Sequence, residues 1–187
     1  MYEGKIVRLR GFRLEDVNLF LKNWNNYELR HFLDERFPHS KEEEETWVRQ
    51  TWEGIRKGQR YAFAVESLQN DELLGSAGLH AVNRIIRSAI LGIAIYEPQN
   101  WGRGFGSDAV DVLLRIAFDI LNLNRVELEV HDFNTRAIAC YRKTGFQEVG
   151  RRREARFTEG RYNDSIIMDI LAEEWKARSR NKSAELK

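Results

Sequence analysis

Two stretches of this 187-residue chain combine residue types and spacings that could do chemistry. In the first, the apolar run Leu91–Tyr96 leads through Glu97, Gln99 and Trp101 to glycines at 102, 104 and 106, then to Ser107, Asp108 and Ala109. Alternate glycines put no Cβ in the way and permit positive φ, so successive backbone N–H groups can turn onto an anion. A helix starting near 104–107 adds its own unpaired N–H groups and the positive end of its dipole. The expected phosphate cradle is therefore the backbone of Arg103, Gly104, Phe105, Gly106 and Ser107, aided by the Arg103 charge. A glycine turn that merely lets strand and helix pack is the competing reading, but three glycines weaken local order with no packing return.

In the second stretch, Asn134 and Tyr141 stand seven residues apart, about two helical turns and nearly one azimuth. One helix face thus presents an amide and a phenol to the same ligand. A phenol near its ordinary pKa of about 10 is a workable proton donor to a basic leaving group. Asn134 also fits a helix N-cap, and Tyr141 also fits an aromatic packed under a sheet. Cys140 points to another helix face and reads as core rather than nucleophile.

The elements around these stretches follow from periodicity. Residues 5–10 read as a strand, 14–24 as a short amphipathic helix, and Ser40 with Glu43 as a capping box opening a second helix. Val48, Trp52 and Ile55 give that helix its buried face, and its four opening glutamates read as a solvated start, with recognition of an acceptor substrate the second reading. Strands at 61–66, 73–82 and 88–96 form an antiparallel meander with the last apolar on both faces. After the glycine loop come a helix to about Leu121, a strand at 126–130, a helix at 134–144 closed by Gly145, and a hairpin at 146–157 and 162–171 turning at Glu159-Gly160. The order is β-α-α-β-β-β-α-β-α-β-β, and residues 1–175 read as one domain followed by a charged tail, 176–187, that frays.

Composition narrows the function classes. The formal charge of +1 gives no global pull toward nucleic acid or an anionic membrane. One cysteine excludes an intrachain disulfide framework, and the four histidines lack metal-ligand spacing, so no metal is expected. With neither a leader-like start nor a membrane-length apolar run, the expectation is a cytoplasmic protein. Arg151, Arg152, Arg153, Arg156 and Arg161 form the basic cluster; alternating along a strand, they read as a solvated sheet edge, with contact from some of them to a nucleotide phosphate or an acidic acceptor the second reading.

Gln99-Asn-Trp-Gly102-Arg-Gly104 resembles the Gln/Arg-x-x-Gly-x-Gly/Ala pyrophosphate loop of the GNAT superfamily of N-acetyltransferases. Asn134-Thr-Arg-Ala-Ile-Ala-Cys-Tyr141-Arg-Lys143-Thr-Gly145-Phe146 is similar to the family's Asn-x-x-Ala-x-x-x-Tyr-x-Lys-x-Gly-Phe pattern. The resemblance runs from about Lys5 to Trp175 and implies a mixed α/β fold, with a mainly antiparallel sheet of about seven strands flanked by four helices. It implies acetyl-CoA as co-substrate, an amine acceptor, direct transfer in a ternary complex and a homodimer. Gln99, Trp101, Lys143 and Asn134 would then join the cradle in holding CoA, and Tyr141 would protonate the departing thiolate.

Many members place a basic glutamate on the fourth strand in an Ala-Glu-x-Gly pattern; here Ala89-Ile90-Leu91-Gly92 lacks it, and Glu97 reads either as a substitute acting through a water chain or as a plain surface glutamate. The branch resembled includes ribosomal-protein N-terminal and spermidine acetyltransferases. Arg30-His-Phe-Leu-Asp34-Glu35 is similar to an aromatic-acidic segment that helps the latter hold a polyamine, and carboxylates suit a polycation, but the segment reads equally as an exposed loop between two helices. A small amine, a polyamine or a peptide N-terminus all fit. A dinucleotide-binding oxidoreductase, argued from Gly102-x-Gly104-x-x-Ser107 and Glu127 or Glu129, fails because antiparallel strands precede the loop. A CoA-binding module without catalysis is the other alternative, prompted by the missing glutamate.

Overall fold

A computed structural model of the chain describes residues 2–33 and 37–184. Seven strands, β1 (Val7–Arg10), β2 (Tyr61–Ser67), β3 (Leu73–Asn83), β4 (Ser88–Ile95), β5 (Arg125–His131), β6 (Gln147–Thr158) and β7 (Arg161–Leu171), form one sheet in the order β1-β2-β3-β4-β5-β7-β6. Every neighbouring pair is antiparallel except β4 and β5, which run parallel. The mixed, mainly antiparallel sheet expected from the sequence is therefore the observed one.

Among the described residues six helices surround it: α1 (Val17–Trp24), α2 (Tyr27–Arg30), α3 (Lys41–Arg56), α4 (Phe105–Arg115, continued by a π-helical Ile116–Ile120), α5 (Thr135–Thr144) and α6 (Ala172–Ala184). The sequence indicated four, without α2 and α6. The four-residue α2 is too short to show a period, and Asn26 caps it by accepting the Glu28 N–H at 3.0 Å. Where a frayed tail was expected after Trp175, α6 is anchored instead. Trp175 lies 5.7 Å from the Phe118 ring, and Arg178 donates to Asp111 and to the Thr144 carbonyl, each at 2.8 Å. No helix among the described residues is long and apolar enough to cross a membrane.

Strand alternation sorts side chains onto two faces. Leu79, Leu91, Val126, Leu128, Val130, Ile166 and Met168 pack under Val110, Leu113, Leu114 and Ile138 of α4 and α5. Ala62, Ala64, Ala94 and Tyr96 pack on the other face against Phe12, Phe20, Leu29 and Val48 from the α1–α3 side. The expected Ser40–Glu43 capping box is present, with Ser40 N–H donating to the Glu43 carboxylate at 2.6 Å and Glu43 N–H to Ser40 Oγ at 3.2 Å.

The solvated reading of the α3 start is corrected at one residue. Glu44 is only 2% exposed and meets His39 Nδ1 at 2.6 Å, sharing the buried face with Val48 and Thr51. Trp52 is partly buried, donating its indole N–H to the Phe12 carbonyl at 3.1 Å, and Ile55 is half-buried.

One departure from regular pairing positions the site. The β4–β5 ladder runs only through Ser88↔Arg125, Ala89↔Val126 and Ile90↔Glu127. Beyond Ile90 the strands part, leaving a slot between 91–95 and 128–131. The edge of β4 facing the slot keeps backbone groups free of strand pairing there, available to a ligand. A β4 apolar on both faces was expected; Ile90 is in fact 43% exposed.

Candidate active site

β4 ends in a 3-10 turn, Pro98–Asn100, and the chain then swings through the glycine loop into α4. Gly102 has φ +72° and Gly104 φ +91°, a left-handed conformation that side chains with a Cβ seldom adopt. At neither position would a Cβ crowd the protein closely; at Gly104 the nearest atom is Ile6 Cδ1 at 3.7 Å. The glycines are thus required by backbone conformation. Gly106 corrects the expectation: it lies in the first turn of α4 without positive φ, and a Cβ there would sit 3.8 Å from Cys140 Sγ.

The first hydrogen bond of α4 runs from Asp108 N–H to the Gly104 carbonyl at 3.0 Å. The N–H groups of Phe105, Gly106 and Ser107 are therefore left for an anion. Asp108, in the same first turn, would repel one, but its carboxylate is engaged elsewhere. It accepts the N–H groups of Lys5, Ile6 and Val7 at 2.9, 2.8 and 3.0 Å, tying the approach to β1 onto α4.

A cleft of about 890 Å³ runs from this loop along the slot between β4 and β5. Gly102, Gly104, Gly106 and Ser107 line it on one side, with Asn134, Tyr141 and Lys143 of the α5 region on the other. Asn134 is the N-cap of α5, its Oδ1 accepting the Ala137 N–H at 3.2 Å. The cap uses the oxygen and leaves the amide nitrogen as a donor. Tyr141 is 7% exposed and packs on Phe146, with ring centroids 5.8 Å apart. Burial, with a smaller contribution from Cys140, pushes its phenol well above the ordinary value, so the group stays protonated. Burial also raises the Cys140 thiol, and Ser107 Oγ lies 3.3 Å from its sulfur.

Trp101 also lines the cleft, its indole N–H donating to the Ile95 carbonyl at 2.7 Å. The Arg136 guanidinium of α5 lies 3.7 Å above the Trp101 ring and 5.0 Å from the Phe32 ring, so three separate segments are stacked around the opening.

Other expected residues are not brought to the cleft wall. Arg103 donates to Asn100 Oδ1 at 3.1 Å and lies 5.1 Å over the Phe105 ring, and neither Arg103 nor Phe105 lines the cleft. Gln99 is exposed and donates to Glu97 at 2.9 Å. Glu97 pairs with Lys22 at 2.8 Å; this pair holds its carboxyl below the usual range, and Glu97 also lies off the lining. Asp34 and Glu35 lie outside the described residues.

Several lining residues were not singled out from the sequence. Asn100, 5% exposed, orients Arg103 from inside the loop. On the α1–α3 face the cleft is lined by His39, Glu44, Ser76, His80, Glu129, His131 and Ser165. Glu129 accepts from Ser165 Oγ at 2.5 Å, Arg152 at 2.7 Å and Arg156 at 3.3 Å. A register shift in β6 between 152 and 156 allows both arginines to reach one carboxylate, and Arg156 itself lines the cleft rather than a solvated edge. The alternation of Ser76, Gly78 and His80 along β3 was the available signal for this wall.

Comparison with known proteins agrees with this geometry. Spermidine N(1)-acetyltransferase of Vibrio cholerae is 32% identical over 92% of this chain and 97% of its own length. The enzyme of the same name from Escherichia coli K12 is 28% identical over 91% and 89%. A crystal structure of the Vibrio cholerae spermidine N-acetyltransferase in complex with CoA and spermine superposes with a TM-score of 0.82 at 31% identity, covering 90% of this chain and 97% of that one. Residues 7–147 match the family model described as an acetyltransferase (GNAT) domain. That match spans most of the chain, and with the glycine loop, the parted strands and the α5 tyrosine meeting in one cleft, the chain belongs to the GNAT acetyltransferase family and is an N-acetyltransferase.

Proposed function

We propose that the enzyme moves acetyl from acetyl-CoA to a primary amine by direct transfer within a ternary complex. The observation that carries this reading is the continuity of one cleft from the free helix N–H groups of Gly106 and Ser107, through the slot, to the opposite face of the sheet. Backbone of 105–107 would hold the pyrophosphate, with Lys143 adding charge at the same end. The Asn134 amide and the unpaired edge of β4 would bind the amide groups of the pantetheine arm, and Tyr141, kept protonated by burial, would give its proton to the thiolate. A covalent acetyl-enzyme on Cys140 is disfavoured, since that thiol is held protonated beside Ser107.

The acceptor belongs on the α1–α3 face, where the cleft offers carboxylates at Glu43, Glu44 and Glu129 together with the aromatic rings of Trp24, Phe32 and Trp47. Such a wall suits a cation with an apolar stem, and the two spermidine acetyltransferases above make polyamines the first class to try. A small amine or a peptide N-terminus fits the same chemistry. Asp34 and Glu35 enter the proposal as acceptor-binding carboxylates on their sequence alone, while a cytoplasmic setting and a homodimer complete it.

Thiol release from acetyl-CoA should be measured against spermidine, spermine, aminoglycosides, free amino acids and peptides beginning with Ala, Ser or Thr. One acceptor should stand out by at least about tenfold in kcat/KM, a discrimination worth about 1.4 kcal/mol. Failure of every amine to release thiol, with acetyl-CoA still bound in calorimetry, would overturn the amine reading.

A further inference from the structure

The amine reaches an enzyme at neutral pH as an ammonium ion, and the cleft must contain a group to take its proton. Most titratable side chains on the acceptor wall are already committed. Glu44 is bonded to His39, Glu43 closes the capping box with Ser40, and Glu129 accepts three donors. His80 differs. Among the described residues it has no hydrogen-bond or ion-pair partner, although its ring is half-buried in the cleft wall.

Its position follows from the β3–β4 ladder. His80 pairs with Ile90, and Gly78 with Gly92, so these side chains share the α1–α3 face of the sheet. Ile90 is the last residue of β4 to pair with β5, which places His80 beside the head of the slot. Gly92 makes room for the imidazole: a Cβ there would lie 3.2 Å from His80 Nε2, closer than ordinary contact, and Gly92 has no positive φ to explain a glycine otherwise.

We propose that His80 is the general base of this acetyltransferase, accepting the proton of the acceptor ammonium ion at the head of the slot. The proposal rests on the amine-transfer reading above. Imidazole takes one proton from R–NH3⁺, and the freed amine attacks the thioester carbonyl carbon. The C–S bond then breaks, the thiolate takes the Tyr141 proton, and the proton remaining on the new amide nitrogen replaces it on Tyr141. His80 returns its proton to water, so the sum is amide, free thiol and one proton. Burial, and secondarily the Arg60 guanidinium ahead of β2, lower the imidazole pKa, keeping it neutral and able to accept at pH 7. From the β5 side Glu127, opposite Ile90 and paired with Arg125 at 3.4 Å, and Glu129, bonded to Ser165 and Arg152, lie on the same face of the sheet as His80; β4 contributes no charge next to the ring.

The test compares wild type with His80→Gln and His80→Asn, using the fastest acceptor of the panel above and measuring kcat/KM from pH 6 to 10. Wild type should rise to a plateau near neutrality, since His80 loses its own proton below that point. Both variants should fall about 100-fold at pH 7. They should regain activity tenfold per pH unit toward the acceptor's own pKa, because only amine already neutral in solution can react. Acetyl-CoA affinity by calorimetry should be unchanged, which also shows that the variants fold. A variant loss that is equal at every pH, or absent in either variant that binds acetyl-CoA, overturns the assignment of His80 while leaving the transferase reading intact. A wild type inactive with every amine overturns both.

Discussion

On the α4/α5 face, the groups proposed to hold acetyl-CoA come from two short stretches, and each sets its own geometry: a left-handed glycine pair ahead of an open helix end, and an N-capped helix carrying Tyr141. On the α1–α3 face, the proposed acceptor wall is drawn from α3, β3, β4, β5 and β7, with partners far apart in sequence such as Glu129 with Ser165 and Arg156. The donor end is thus local and stereotyped, and the acceptor end is assembled by strand register. With the register fixed, substitution can change one wall residue at a time while the cradle stays intact, which suits one fold to many acceptors.

Substitutions can break this division. The largest effect should come from Gly104→Val. A β-branched residue at φ +91° must leave the left-handed conformation and turn the N–H groups away from the phosphate. Losing two charge-assisted hydrogen bonds at about 2 kcal/mol each weakens acetyl-CoA binding about 1,000-fold. Calorimetry reads the loss, and circular dichroism checks the fold. Unchanged affinity would remove the loop from the donor site.

Tyr141→Phe should come next, lowering kcat about 100-fold with acetyl-CoA affinity kept, as expected for loss of one proton donor. The ring still packs on Phe146, so stability should hold, and a variant as active as wild type would take Tyr141 out of the chemistry. The smallest effect should be that of Glu97→Gln. Its partner Lys22 is largely exposed and the carboxylate is off the cleft wall, so steady-state rates should stay within about twofold. A large fall in kcat would restore Glu97 as the proton acceptor and blur the line between the faces.

This division also explains what could be read from the sequence. Strands, the capping box, the glycine loop and the α5 pattern depend on neighbours a few residues away, and all are in the structure. Glu44 read as solvent-facing because acids at a helix start usually are, while its burial depends on His39 folding back onto it from before the N-cap. Helix α6 was hidden because Arg178 secures it by bonds to Asp111 and Thr144, without an apolar stripe. His80 carried no motif at all. Its neighbours at Ile90 and Gly92 exist only once β3 and β4 are in register.

The early parting of β4 from β5 has a kinetic consequence. A continuous sheet is a partition, and this one has a doorway. On the proposed reading, donor and acceptor approach from opposite sides, meet in the opening and withdraw the way they came. Neither need wait for the other to clear a shared passage, so initial-rate lines at varied concentrations of both should intersect. Zipping the two strands to their ends would keep both rooms and close the door between them.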